Sequence, residues 1–130
     1  MTTWQDVKRI CEESFLVHDE ADNRIEIEIS QDTKRSQKVA ISQMQVASST
    51  WIVMYSRFAK LEEANPEAIL SLHSQLTDSI FGIQIRGDYY GLVFSMPMSD
   101  LDLNEFVEPL QLIVDRADDF EKIVTGKDRF

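Results

Sequence analysis

Arg24-Ile25-Glu26-Ile27-Glu28-Ile29-Ser30 alternates apolar and polar residues without a break. That period of two belongs to a β-strand with one face on a core and one in water, and it places Ile25, Ile27 and Ile29 together on the buried side. Gln31 to Ser36 reads as a turn, and Lys38 to Val46 as a second strand with Val39 and Ile41 in one phase and Met44 and Val46 in the other. A bulge near Ser42 or Gln43 is the expected cause of that slip. After Ala47-Ser48-Ser49, Thr50 to Phe58 is rich in aromatic and β-branched residues on both faces, as in a central strand covered on both sides. Three consecutive antiparallel strands follow from these segments.

Helices flank them. Trp4, Val7, Cys11 and Phe15 fall on one helical stripe, with Thr3 and Asp6 spaced as a capping pair, so Thr3 to Phe15 opens the chain as an amphipathic helix. The polar stretch His18 to Asn23 breaks that period and separates helix from strand. Asn65-Pro66 is a helix start, since Asn caps and Pro suits the first helical position. Ile69, Leu72 and Leu76 then mark its inner stripe as far as about Thr77. Phe81, Ile83 and Ile85 alternate up to Gly87-Asp88, and Tyr90, Leu92, Phe94 and Met96 alternate down to Pro97, a hairpin pattern. Asp102 and Glu105 open the last and longest helix, whose Leu103, Phe106, Leu110, Ile113, Ala117 and Phe120 recur every three or four residues, with Pro109 inside it. The expected order is αβββαββα, an α+β domain with an antiparallel sheet packed with helices.

A chain of 130 residues supports one core, and 43% hydrophobic with 28% charged residues is a globular composition. Residues 1–130 are read as one domain. The formal net charge of −10 repels nucleic-acid phosphates and anionic membranes, so neither is an expected partner. The basic concentration Lys34, Arg35 and Lys38 lies at a turn and reads as a solvated loop. Apolar runs such as Trp51 to Tyr55 are too short to cross a bilayer, and a basic segment followed by an apolar run does not open the chain, so a cytoplasmic location is expected. The single cysteine, Cys11, cannot form an internal disulfide and reads as a small buried hydrophobe.

Catalytic spacings do not emerge. His18 and His73 form no metal-ligand motif with Cys11 or with carboxylates, and four glycines are too few for a phosphate loop. Arg86-Gly87-Asp88 reads as the hairpin turn. No catalytic residue, cofactor or metal is expected. Glu12-Glu13, Glu62-Glu63 and the set Asp115, Asp118 and Asp119 read as solvated helix faces; within the last, Asp115 and Asp119 sit one turn apart and repel unless a cation or a basic partner is near.

The element order, the acidic charge, the small size and the amphipathic last helix together resemble the type III secretion chaperone-like fold. Within it the chain is most similar to the YbjN family, often labelled bacterial sensory transduction regulators. The local likeness lies in Leu70-Ser71-Leu72-His73-Ser74-Gln75-Leu76, Phe81-Gly82, Tyr90 to Met98, and Val114 to Phe120. The resemblance implies a two-layer domain, commonly a homodimer, whose exposed apolar surface holds an extended segment of another protein.

Two functions compete on these grounds. The first is a non-catalytic, chaperone-like or adaptor domain that binds another protein and forms a homodimer through the last helix or the outward residues of Trp51 to Tyr55. Trp51, Tyr55 and Phe58 are its candidate contacts, with Asp115 and Asp119 for a basic partner. The second is a ligand-sensing domain in which Tyr55, Arg57 and Tyr89 line a pocket between sheet and helices. An enzyme would need His73 or the aspartates to converge with a basic residue in a cleft.

Overall fold

A computed structural model describes residues 2–30, 36–75 and 80–125. Six strands form one antiparallel sheet: β1 (Leu16–Ala21), β2 (Arg24–Ser30), β3 (Ser36–Val46), β4 (Ser49–Lys60), β5 (Gly82–Arg86) and β6 (Tyr89–Pro97), in the spatial order β1-β2-β3-β4-β6-β5. Three helices accompany it: α1 (Trp4–Ser14), α2 (Pro66–Ser74) and α3 (Leu103–Thr125). The α+β class and the order αβββαββα hold, with one strand added ahead of the first three. That strand is β1, in the stretch read as a break. It is an edge strand, mostly exposed, with a bulge between Val17 and Asp19, so no buried face forces its residues to alternate. His18, Asp19 and Glu20 lie along this edge, polar and charged residues of the kind that disfavour pairing with another strand.

Helix starts follow their capping chemistry. The Thr3 side chain accepts from the Asp6 N–H while Asp6 accepts from the Thr3 N–H. Asn65 Oδ1 accepts from the Ala68 N–H at 2.8 Å, and Asp102 Oδ1 from the Asn104 N–H at 3.0 Å. Pro109 lies inside α3. The expected end of α2, Leu76 and Thr77, lies outside the described residues, as do Lys34 and Arg35.

The core lies between the helices and one face of the sheet. Ile25, Ile27 and Ile29 of β2, Val39 and Ile41 of β3, Ile52 and Met54 of β4, and Leu92 of β6 meet Trp4, Val7 and Cys11 of α1 and Phe106, Leu110, Ile113 and Ala117 of α3. No bulge occurs near Ser42 or Gln43. The register runs unbroken from Ser30↔Ser36 to Arg24↔Ser42 and from Ala40↔Tyr55 to Val46↔Ser49. The phase slip has another cause: β3 continues beyond the end of β2, and there Met44 and Val46 point to the outer face, 50% and 42% exposed.

The expectation that β4 is covered on both sides is also corrected. It is central, between β3 and β6, but the described helices pack on one face. The outer face carries Trp51, Val53, Tyr55 and Arg57 of β4 beside Ala40, Ser42 and Met44 of β3 and Val93 and Ser95 of β6. Val53 and Tyr55 are buried on that face, and the Arg86 guanidinium stacks over the Tyr55 ring.

Candidate functional site

Alternation along β4 sorts the aromatic candidates. Trp51 and Tyr55 share the outer face, whereas Phe58 has the opposite parity and lies wholly in the core, edge-on to Phe120 at 5.2 Å and stacked with Tyr90 at 6.3 Å. Phe58, expected as a contact, is therefore a core residue of this chain. A bulge between Arg57 and Ala59 follows, which lets Ala59 also turn inward against Tyr90.

Asp115 and Asp119 lie elsewhere, on α3. Gln111 donates to Asp115 Oδ1 at 3.3 Å, and Arg116 stands 3.8 Å from Asp119, so nearby groups offset the repulsion expected between the two. Asp118 is not on a solvated face: it is buried, with Lys122 Nζ at 3.1 Å from its Oδ2. A group of three acidic, histidine or cysteine residues able to hold a metal ion does not occur among the described residues.

The two histidines also have local roles. His73 Nε2 lies 3.0 Å from the Phe81 carbonyl, tying α2 to the segment that enters β5, and His18 Nε2 lies 2.7 Å from Glu28 Oε1 across β1 and β2. Burial pushes the Cys11 thiol up to about 12, with Glu12 and Glu20 adding to the shift, so the thiolate that reacts is absent at neutral pH.

Tyr55, Arg57 and Tyr89 do come together, as expected from the sequence, but on the outer face and not between sheet and helices. They line a half-open pocket of about 290 Å³ with Arg24, Glu26, Lys38, Ala40 and Arg86. Cross-strand pairing assembles it: Glu26 faces Ala40, Ala40 faces Tyr55, Arg57 faces Gly91, and Arg86 faces Tyr89. Among the described residues, four cations and one carboxylate thus line a single pocket, in a chain with 13 basic and 23 acidic residues. Arg24 bridges Glu26 at 3.0 Å and Asp19 at 3.4 Å. Two guanidinium groups stack on tyrosines, Arg57 Cζ 4.5 Å from the centre of the Tyr89 ring and Arg86 Cζ 4.2 Å from that of Tyr55.

The Tyr55 hydroxyl is closed off from solvent and has no hydrogen-bond partner among the described residues. A buried hydroxyl left so costs about 1–3 kcal/mol. Burial pushes its pKa up, against the opposite pull of Arg86 and Arg57, and the group remains a protonated donor at neutral pH. The pocket was not foreseen as basic because its cations come from four strands; only the Tyr55, Arg57 and Tyr89 grouping had a trace in the sequence.

No protein-family model matches the chain, and no curated protein matches it. No helix among the described residues is long and apolar enough to cross a membrane.

Proposed function

We propose that this chain is a non-catalytic protein-binding domain, chaperone-like or adaptor-like, that acts in the cytoplasm as a homodimer and holds a segment of a partner protein. The observation that carries this is the outer face of the sheet: no described helix packs on it, and there Trp51 and Val93 are half-buried and Met44 and Val46 exposed, around the buried Val53 and Tyr55. Apolar and aromatic side chains grouped on an open surface are what a partner covers. The exposed side of α3 is the weaker candidate, because Glu108, Asp115 and Asp119 would set like charges against each other in a symmetric pair. The resemblance to secretion chaperones and the YbjN family points in the same direction. The ligand-sensing function is the second reading, favoured by the pocket on the same face.

The test combines light scattering of the purified chain with photo-cross-linking in lysate from benzoylphenylalanine placed at Trp51 and, as a control, at the exposed Glu67 of α2. A dimeric mass and discrete protein adducts from position 51 alone are expected. A monomer without adducts at position 51 would overturn the proposal.

A further inference from the structure

The outer-face pocket is basic in an acidic chain, and it holds a buried donor that the fold leaves unused. General electrostatic attraction does not account for an anion at this protein, since a net charge of −10 repels one at a distance. Any anion that binds must be drawn by the local group of Arg24, Lys38, Arg57 and Arg86. A guanidinium stacked on a ring is oriented by it and presents its in-plane N–H groups at the edge, the geometry that suits the two oxygens of a carboxylate. The Tyr55 hydroxyl, on the ring over which the Arg86 guanidinium stacks, is a further donor without a hydrogen-bond partner among the described residues. Arg86 is an exposed side chain on an edge strand, and its Nε–H donates to Gln84 Oε1 at 3.1 Å.

The surroundings identify the source of the anion. Ala40 and Tyr55 belong both to the pocket and to the apolar strip that continues through Val53, Val93 and Trp51. A free oxyanion has no use for that strip, whereas a peptide with a carboxylate and neighbouring apolar side chains fits both. We propose that the pocket receives a glutamate or aspartate side chain of the partner segment, so that the segment held by this domain is acidic with apolar neighbours. This rests on the protein-binding function proposed above and adds the chemistry of the partner.

The probe is a fluorescein-labelled peptide of alternating glutamate and valine, titrated with the full chain and followed by anisotropy. A lysine–valine peptide, inorganic phosphate and tripolyphosphate serve as the comparisons. The glutamate–valine peptide binds best, although the net charge of the chain favours the lysine–valine one. Arg86→Gln and Lys38→Gln, both at exposed positions, each weaken it about tenfold, as expected for one charge-assisted hydrogen bond. Tyr55→Phe weakens it about fivefold while raising the melting temperature of the unliganded protein, a crossed result that a purely structural tyrosine does not give.

Tighter binding of the lysine–valine peptide, affinity unchanged in both charge variants, or displacement of the peptide by phosphate or tripolyphosphate at lower concentration than unlabelled peptide would each overturn the inference; the last assigns the pocket to a free anion. Absence of acidic-peptide binding alongside adducts at position 51 ends this inference and leaves the protein-binding function standing. Absence of those adducts ends that function whatever the peptide does.

Discussion

The ring of Tyr55 occupies the space that a side chain at position 91 would need: a Cβ on Gly91 would lie 2.3 Å from both Cε2 and Cζ of Tyr55 and 2.6 Å from its hydroxyl oxygen. Gly91 lies within β6, where glycine is otherwise unfavourable, and its lack of a side chain lets a tyrosine of the neighbouring strand lie flat on the sheet. Gly91→Ala is expected to force the ring upward at a cost of about 1–3 kcal/mol, the usual range for overpacking. Chemical denaturation measures that loss. Gly91→Ala with Tyr55→Ala should recover part of it, because the clash requires both residues; an unimproved double variant would refute the dependence.

A second prediction concerns Ala47, the only described non-glycine residue with positive φ, at 56° in the turn between β3 and β4. An L-residue with a Cβ is strained there, by roughly 1 kcal/mol, and glycine is not. Ala47→Gly should therefore raise the unfolding free energy by about 0.5–1 kcal/mol. The same change at Ala40, in the middle of β3, should lower it, which separates relief of turn strain from a general effect of glycine.

Acid should weaken the first three elements through two carboxylates. The hydrogen bond from His18, with a second from Ser36, holds Glu28 below its ordinary value of 4.5, and the Thr3 backbone and hydroxyl hold Asp6 below 3.8. Both folded values lie below the unfolded ones, so each group stabilises fully above its unfolded value and the effect is lost as pH falls through the folded one. Urea midpoints should be flat from pH 7 to about pH 5 and fall below that. In Glu28→Gln and Asp6→Asn the acid fall should be shallower, with the neutral midpoint already reduced. An unchanged acid slope would show that other carboxylates control it.

Much of the fold was legible because its signals are local. Ile25, Ile27 and Ile29 alternate in a short window, and Asn65-Pro66 and Thr3 with Asp6 are caps whose partners lie within three residues. β1 escaped because an exposed edge strand has no buried face to impose a pattern. Parity along β4 was readable, and it already separates Phe58 from Trp51 and Tyr55. The basic pocket was not readable: Arg24 is brought to it only by the pairing of β2 with β3, and Arg86 by the insertion of β6 between β4 and β5. Charge counted along the chain gives −10 and conceals a local concentration of the opposite sign.

Cys11 provides a direct measure of how α1 is held. The thiol is fully buried among Trp4, Val7 and the β2 isoleucines, and its pKa stands at about 12. Iodoacetamide requires both access and a thiolate, so the native protein should resist alkylation at pH 8. In urea the rate should follow either of two courses. If α1 opens only when the whole domain unfolds, labelling tracks global unfolding measured by circular dichroism. If α1 detaches by itself, labelling appears at lower urea than the circular-dichroism transition. The indole of Trp4 donates to the Asp22 carbonyl at 2.7 Å, and Lys8 meets Glu20 at 3.2 Å, both ties between α1 and the β1–β2 hairpin. We therefore expect the two curves to coincide, and Trp4→Phe, which removes the indole donor, to shift alkylation to lower urea ahead of the global transition.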